Sequence, residues 1–237
     1  MGWRKICGIR PSAGQMQNRR KPMDFEAFSD IVRTRRSIRK WRNIPVPREM
    51  VLRALELATW APNGGNYQGW YFVVIMKKEL IEEIADHVQE AMDLIASWPE
   101  AQPWSELVDR YRRFATFFRE APVLVAVFAT AYESPADKIL QARQMKDPVA
   151  ATMIAHRQSA PTGVQSAAAA ITTFLLALHA MGLGGVWLAA PLFAKTQIQK
   201  ALDAPPEHNL IACVALGYPD EEPKVDRRPL HEVTRVI

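Results

Sequence analysis

The sequence predicts an α+β fold in a single domain. Three observations carry this. Four short apolar runs, at residues 70–76, 123–128, 184–190 and 210–216, have the length and β-branched content of buried strands. Between them lie segments whose apolar residues recur at helical spacing. Neither an internal repeat nor a composition shift marks a linker, so one α+β domain is the simplest account of the 237 residues.

The elements follow in order. Phe25, Phe28, Ile31 and Val32 repeat at helical spacing after Asp24, a good N-cap. Pro47 suits the first turn of a second helix whose apolar face is Val51, Ala54, Leu55 and Ala58. The segment 61–66 is a loop by composition. After the first strand, Leu80, Ile81, Ile84, Val88, Met92 and Ile95 mark a third helix. Residues 97–112 are mixed in character, and 130–148 read as a loop or small insertion. A long helix spans 162–181, with Gly182 as its C′ glycine. A short helix at 195–202 precedes the last strand, and 218–237 form a polar, Pro-containing tail with an apolar end.

Composition narrows the function. The chain is 49% hydrophobic and 23% charged, as globular proteins are. Its two cysteines, Cys7 and Cys213, form no CxxC and no Cys/His cluster, so no metal site is expected and a reducing, cytoplasmic setting is the default. The net charge of +5 is local. Residues 1–23 hold Arg4, Lys5, Arg10, Arg19, Arg20 and Lys21 and no acid; without them 24 bases face 25 acids, a net of −1. Residues 1–23 therefore read as a poorly ordered basic leader, and residues 24–237 as the folded domain. A nucleic-acid partner wants a basic face on the domain itself, so none is expected. The most apolar stretch, 164–181, is interrupted by Gln165, Ser166, Thr172, Thr173 and His179. It reads as a buried helix rather than a membrane span.

Four clusters carry chemistry. Residues 33–42 place six bases in ten positions, and the Arg fork with a Ser hydroxyl matches phosphate oxygens. Residues 62–70, Pro-Asn-Gly-Gly-Asn-Tyr-Gln-Gly-Trp, join glycines to amides that can pair with a heterocycle edge. Their spacing is not GxGxxG, so no Rossmann site is indicated. Residues 182–191 deliver small residues from a helix end through a strand. Arg227-Arg228-Pro229-Leu230 offers a second phosphate clamp. Taken singly, each also fits an ordinary solvated helix end, loop, tight turn or basic tail.

Together, and in this order, the Arg-Arg-Ser-Ile-Arg run, the Ala-Pro-Asn-Gly-Gly-Asn-Tyr-Gln-Gly-Trp loop, the helix–Gly-Leu-Gly strand unit and the Arg-Arg-Pro-Leu tail resemble the nitroreductase-like FMN-dependent oxidoreductase family over residues 25–235. The resemblance implies a mixed, largely antiparallel sheet flanked by helices, in an intertwined homodimer with FMN at the interface. The 162–181 helix would be central to the dimer, and the C-terminal segment would reach onto the partner. Arg35, Arg36, Ser37 and Arg39 match the first FMN-binding run, with Arg35, Ser37 and Arg227 on the phosphate and ribityl chain and Arg39 near the pyrimidine edge. Asn63, Gly64, Asn66 and Gln68 match the loop that faces the flavin across the interface. Leu188, Ala189 and Ala190 match the stretch that passes flavin N5. Their side chains are apolar, so only a backbone N–H could bond N5.

The implied reaction is ping-pong: NADH or NADPH reduces the flavin, and an electron-poor acceptor (a nitroaromatic, a quinone or an activated alkene) takes the two electrons. No protein side chain is named as catalytic, because the flavin carries the hydride. Substrate choice in this family rests on the segment over the flavin, here residues 97–118 with Trp98, Trp104, Tyr111, Phe114, Phe117 and Phe118. Those aromatics could stack on a planar acceptor, or pack inward with Arg110, Arg112 and Arg113 outside. The deiodinase branch shares two of the motifs, but its Glu, Tyr and Lys lid set is not found here; Ala115 stands about where the lysine is expected. Nothing favours the branch that makes the lower ligand of cobalamin by destroying its own flavin. A flavin-binding protein without turnover and a basic nucleic-acid-binding protein complete the alternatives.

Overall fold

The computed structural model describes residues 24–237, so the leader expected over 1–23 lies outside the described residues. The chain falls into two units, one ending at Thr34 and one spanning Arg35–Ile237. The described part of the first is helix α1 (Phe25–Thr34). Asp24 caps it, accepting the Glu26 and Ala27 N–H groups at 3.0 and 3.3 Å.

The second unit is built on four strands: β1 (Trp70–Ile75), β2 (Val123–Ala129), β3 (Gly184–Leu188) and β4 (Asn209–Gly217). Their order is β1-β2-β4-β3, and every ladder among the described residues is antiparallel. Helices cover both faces. α2 (Arg48–Ala58) and α7 (Thr162–Ala180) lie on one, with Val51, Ala54, Phe174 and Leu178 against Val125, Val127 and Val214. α3 (Lys78–Ser97) and α8 (Lys195–Ala201) lie on the other, with Ile81, Ile84, Val88 and Ile198 against Leu124, Ala126 and Phe128. A strand buried on both faces has no polar side to alternate with, which is why all seven residues of β2 are apolar and buried. The predicted face of α2 is the observed one: Val51, Ala54, Leu55 and Ala58 are all buried.

A β-bulge in β4 moves its parity. Val127 pairs with Ala212 and Phe128 with Leu210, skipping Ile211. Leu210 and Ala212, two apart, therefore face opposite layers. α7 ends in a Schellman turn, with Gly182 N–H on the His179 carbonyl at 3.0 Å and Leu183 N–H on the Leu178 carbonyl at 2.9 Å. Gly182 takes φ +76°, as its sequence position predicts. Of α7's apolar residues, Ala167, Ala170, Ile171, Phe174, Leu175, Ala177 and Leu178 are buried in the core.

Two stretches differ from their sequence reading. Residues 130–148 are not a loop throughout: they contain α5 (Pro135–Arg143), followed by α6 (Pro148–Ser159). A capping box between Ser134 and Asp137 starts α5, and Asp147 caps α6. Arg157 on α6 grips Asp137 on α5 through two bonds of 2.9 and 3.1 Å, and this pair, with Ser134, holds the Asp137 carboxyl far below the usual range. The mixed segment 97–112 resolves into a 3-10 turn (Pro99–Trp104) and α4 (Ser105–Phe114). The C-terminal segment carries a single-turn helix, α9 (Leu230–Val233), and is exposed from Lys224 onward.

Candidate active site

The arginine run leaves α1 in extended form and lies along the start of β3. Ile38 N–H donates to the Gly185 carbonyl at 3.3 Å, and the Ile38 side chain is buried. A Cβ on Gly184 would stand 2.5 Å from Ile38 Cγ1, and one on Gly185 would stand 2.9 Å from Leu175 Cδ2. These two glycines are therefore packing requirements of the chain's own core, and not room left for a flat ligand. Farther along, Trp41 Nε1 donates to the Gly184 carbonyl at 3.0 Å. The Glu221 carboxylate accepts the backbone N–H groups of Arg39 and Lys40, and Asp220 N–H bonds the Lys40 carbonyl. These contacts tie the tail to the run and bring together residues 181 and 182 positions apart in sequence.

The result is a concentration of positive charge. Arg35 is half-buried; burial first, then the charges of Arg227 and Arg36, lower its pKa from the ordinary value. Burial first, then Arg35 and Arg36, lower that of His179, in the last turn of α7. Ser37 lies beside them, half-buried, and its carbonyl accepts Arg39 Nη1 at 3.3 Å. Three guanidiniums, an imidazole and a hydroxyl form a donor set that suits a phosphate dianion.

The amide loop lies elsewhere. Asn63 Oδ1 accepts the Gln68 N–H at 3.0 Å, and Gln68 Nε2 donates to Asn66 Oδ1 at 3.3 Å. Gly65, Asn66 and Gln68 take φ of +61°, +53° and +52°. Gly64 N–H donates to Ser166 Oγ at 3.3 Å, and a Cβ on Gly64 would meet Thr162 Cγ2 at 2.4 Å. This end of the site is thus seated on the first turns of α7, while His179 marks its last turn. Thirteen residues separate Ser166 from His179, roughly 20 Å along a helix. Within one chain the structure brings Arg35, Arg36 and Arg227 together, and it leaves Asn63, Gly64, Asn66 and Gln68 at the far end of α7.

Leu188, Ala189 and Ala190 stand where β3 passes into a 3-10 turn (Ala190–Ala194). Leu188 and Ala190 are buried and Ala189 is exposed. His179 is the residue the sequence reading missed as a site candidate: a lone histidine at the end of an apolar helix carries no motif. Cys213 is fully buried in β4, and burial pushes its thiol up to about 12, so it is no nucleophile. The aromatics of residues 97–118 split. Tyr111 and Phe114 are exposed on α4 and Trp104 just before it, while Phe118 is fully buried.

Comparison with known proteins now bears on this arrangement. The nitroreductase family model matches residues 32–218. This chain belongs to the nitroreductase family. The family and the enzyme class agree with the sequence reading of an FMN-dependent oxidoreductase. Among solved structures, a BluB-like flavoprotein from Clostridium difficile is 31% identical with a TM-score of 0.79, covering 89% of this chain and 98% of that one. An iodotyrosine deiodinase bound to FMN and 3-iodo-L-tyrosine is 25% identical with a TM-score of 0.62, covering 85% and 95%. A 5,6-dimethylbenzimidazole synthase from Rhodospirillum rubrum is 30% identical over 91% of this chain and 90% of its own length. A 4-nitrobenzoate reductase from a Nocardioides species is 27% identical over 84% and 83%.

Proposed function

We propose that the chain works as a homodimeric FMN-dependent NAD(P)H oxidoreductase that passes two electrons to small electron-poor acceptors such as nitroaromatics and quinones. The observation that carries this reading is the convergence of Arg35, Arg36 and Arg227 beside His179. Bound there, FMN would supply the two-electron chemistry that links nicotinamide to acceptor. The protein's part is binding, orientation and field. Arg35, Arg36, Ser37 and Arg227 hold the phosphate and ribityl chain. Arg39 faces the pyrimidine edge, where a cation favours the charge that reduction brings. Leu188, Ala189 and Ala190 would line the stretch near N5, where Ala189 is exposed and its backbone N–H is the donor the flavin could use.

The length of α7 supports the dimer. Asn63, Gly64, Asn66 and Gln68 sit too far from Arg35 to serve the same mononucleotide. Two copies related by a two-fold axis, with their α7 helices antiparallel, would place the loop of one beside the arginines of the other. Exposed apolar residues offer the surface: Val164 on α7, Leu52 and Leu57 on α2, Trp60 and Trp187. The exposed aromatics of α4 serve as the wall on which a planar acceptor stacks.

The test is a visible absorbance spectrum of the purified protein, then anaerobic NADH and, separately, NADPH. A flavin spectrum that bleaches with one of them and recovers with a quinone or nitroarene is the expected result. A protein that takes up no FMN overturns the reading, and a flavin that neither donor bleaches reduces it to a flavin carrier. Analytical ultracentrifugation should give a dimer mass. A second reading rests on the 31% and 30% identity to the BluB-like flavoprotein and the benzimidazole synthase. In it the chain consumes its own flavin, and aerobic turnover would yield dimethylbenzimidazole in the same samples.

A further inference from the structure

We propose that Phe114 is a positioning residue for Arg39, and that through this contact helix α4 sets how strongly the site favours reduced over oxidised FMN. The proposal rests on the placement of Arg39 at the pyrimidine edge given above. Among the described residues no ion pair holds the Arg39 guanidinium. The nearby Glu221 carboxylate takes the backbone N–H groups of Arg39 and Lys40 instead. The guanidinium has one hydrogen bond, to the Ser37 carbonyl at 3.3 Å, and one aromatic face: Cζ lies 5.7 Å from the centre of the Phe114 ring. That distance is within the reach of a cation–π contact.

The ring is itself braced. Phe114 packs against Phe117 with ring centres 5.0 Å apart, and Phe117 stacks on Trp41 at 6.2 Å and 15° between planes. Trp41 is pinned to β3 by its 3.0 Å bond to Gly184. A continuous line of aromatic contacts thus runs from the root of β3 to the guanidinium. Phe114 is also the last residue of α4, on the exposed apolar face made by Trp104, Leu107, Tyr111 and Phe114. A shift of α4 moves the ring on which Arg39 rests. An acceptor lying against that face would therefore act on the same cation that steadies the reduced cofactor.

Midpoint potentials of the FMN-loaded protein test this, with Arg39→Met, Phe114→Leu, Phe114→Tyr and the Arg39→Met/Phe114→Leu double variant. Arg39→Met should lower the preference for reduced FMN about tenfold, or ~30 mV for a two-electron couple. Phe114→Leu should lower it two- to fivefold, in keeping with an exposed cation–π contact. Phe114→Tyr should restore the original potential, and Phe114→Leu should add nothing once Arg39 is gone. If Arg39→Met shifts the potential and Phe114→Leu does not, Phe114 has no such role. If the Phe114→Leu shift survives unchanged in the Arg39→Met background, the effect does not pass through Arg39 and the proposal is wrong. If Arg39→Met itself has no effect, the placement of Arg39 fails and the proposal falls with it. Leucine keeps apolar bulk at the end of α4, and thermal unfolding of each variant checks that the helix is still packed.

Discussion

The two ends of α7 are built on different principles. At its C-terminal end the site is made of charge: Arg35, Arg36 and Arg227 crowd together, and their field depresses neighbouring groups in place of stabilising them. At its N-terminal end the site is made of shape. Asn63 and Gln68 close a loop on themselves, three left-handed positions (Gly65, Asn66 and Gln68) bend it, and Gly64 lets it sit hard against Thr162. The charged end concentrates like charge that an anion would offset, while the polar loop bonds largely to itself.

Substitutions should separate the two ends. The largest effect is expected at the charged end. Arg35→Ala should weaken FMN binding by about 1.5–3 kcal/mol, roughly 10- to 150-fold, read by flavin fluorescence titration, because it removes a half-buried charge-assisted phosphate contact. Arg227→Ala, on an exposed stretch, should weaken it in the same direction but less. If both variants purify with full flavin, the phosphate lies elsewhere.

At the shaped end the loss should appear as stability. Gly65→Ala places a Cβ 2.8 Å from the Tyr132 hydroxyl and puts an L side chain at φ +61°. It should cost about 1–2 kcal/mol in denaturant unfolding. Any loss of FMN affinity measured with native protein should be smaller than that of Arg35→Ala. A Gly65→Ala variant as stable as the parent would show that the loop is not held as described.

The smallest effect concerns pH. The folded pKa of His179 is lowered, so the unfolded chain binds its proton first as pH falls. The contribution is absent well above the unfolded value of about 6.5 and grows as a destabilisation below it, until the folded form also protonates. FMN-free protein should lose stability on this account between neutral and mildly acid pH, and His179→Asn should flatten that part of the profile. A bound phosphate dianion favours the imidazolium, so FMN should oppose the loss. An unchanged profile in His179→Asn would show that the cationic crowding does not reach the imidazole.

Much of the frame was legible in the chain. The buried face of α2, the core residues of α3 and the seven-residue β2 follow from period and composition, because burial on a regular element forces its pattern onto the sequence. α5 and α6 were not read. Few of their residues are buried and Ile139, Val149 and Met153 are exposed, so their apolar residues trace no clean face, although Ser134 with Asp137, and Asp147 before Pro148, were start signals in plain view. On α4 the sequence left two readings open, and Tyr111 and Phe114 face solvent while Arg112 is half-buried. Helical spacing identifies a face, and tertiary neighbours decide which way it turns.

The sequence by itself determined the family, the helix and strand inventory of the core, and the arginines that could meet a phosphate, since all of these leave local patterns. Only the tertiary structure decided that His179 stands with Arg35 and Arg36, that the amide loop stands at the other end of α7, and that Phe114 lies under Arg39. Those relations join residues that are far apart in the chain, and no local propensity encodes a contact that exists only after the sheet has closed and both of its faces are covered.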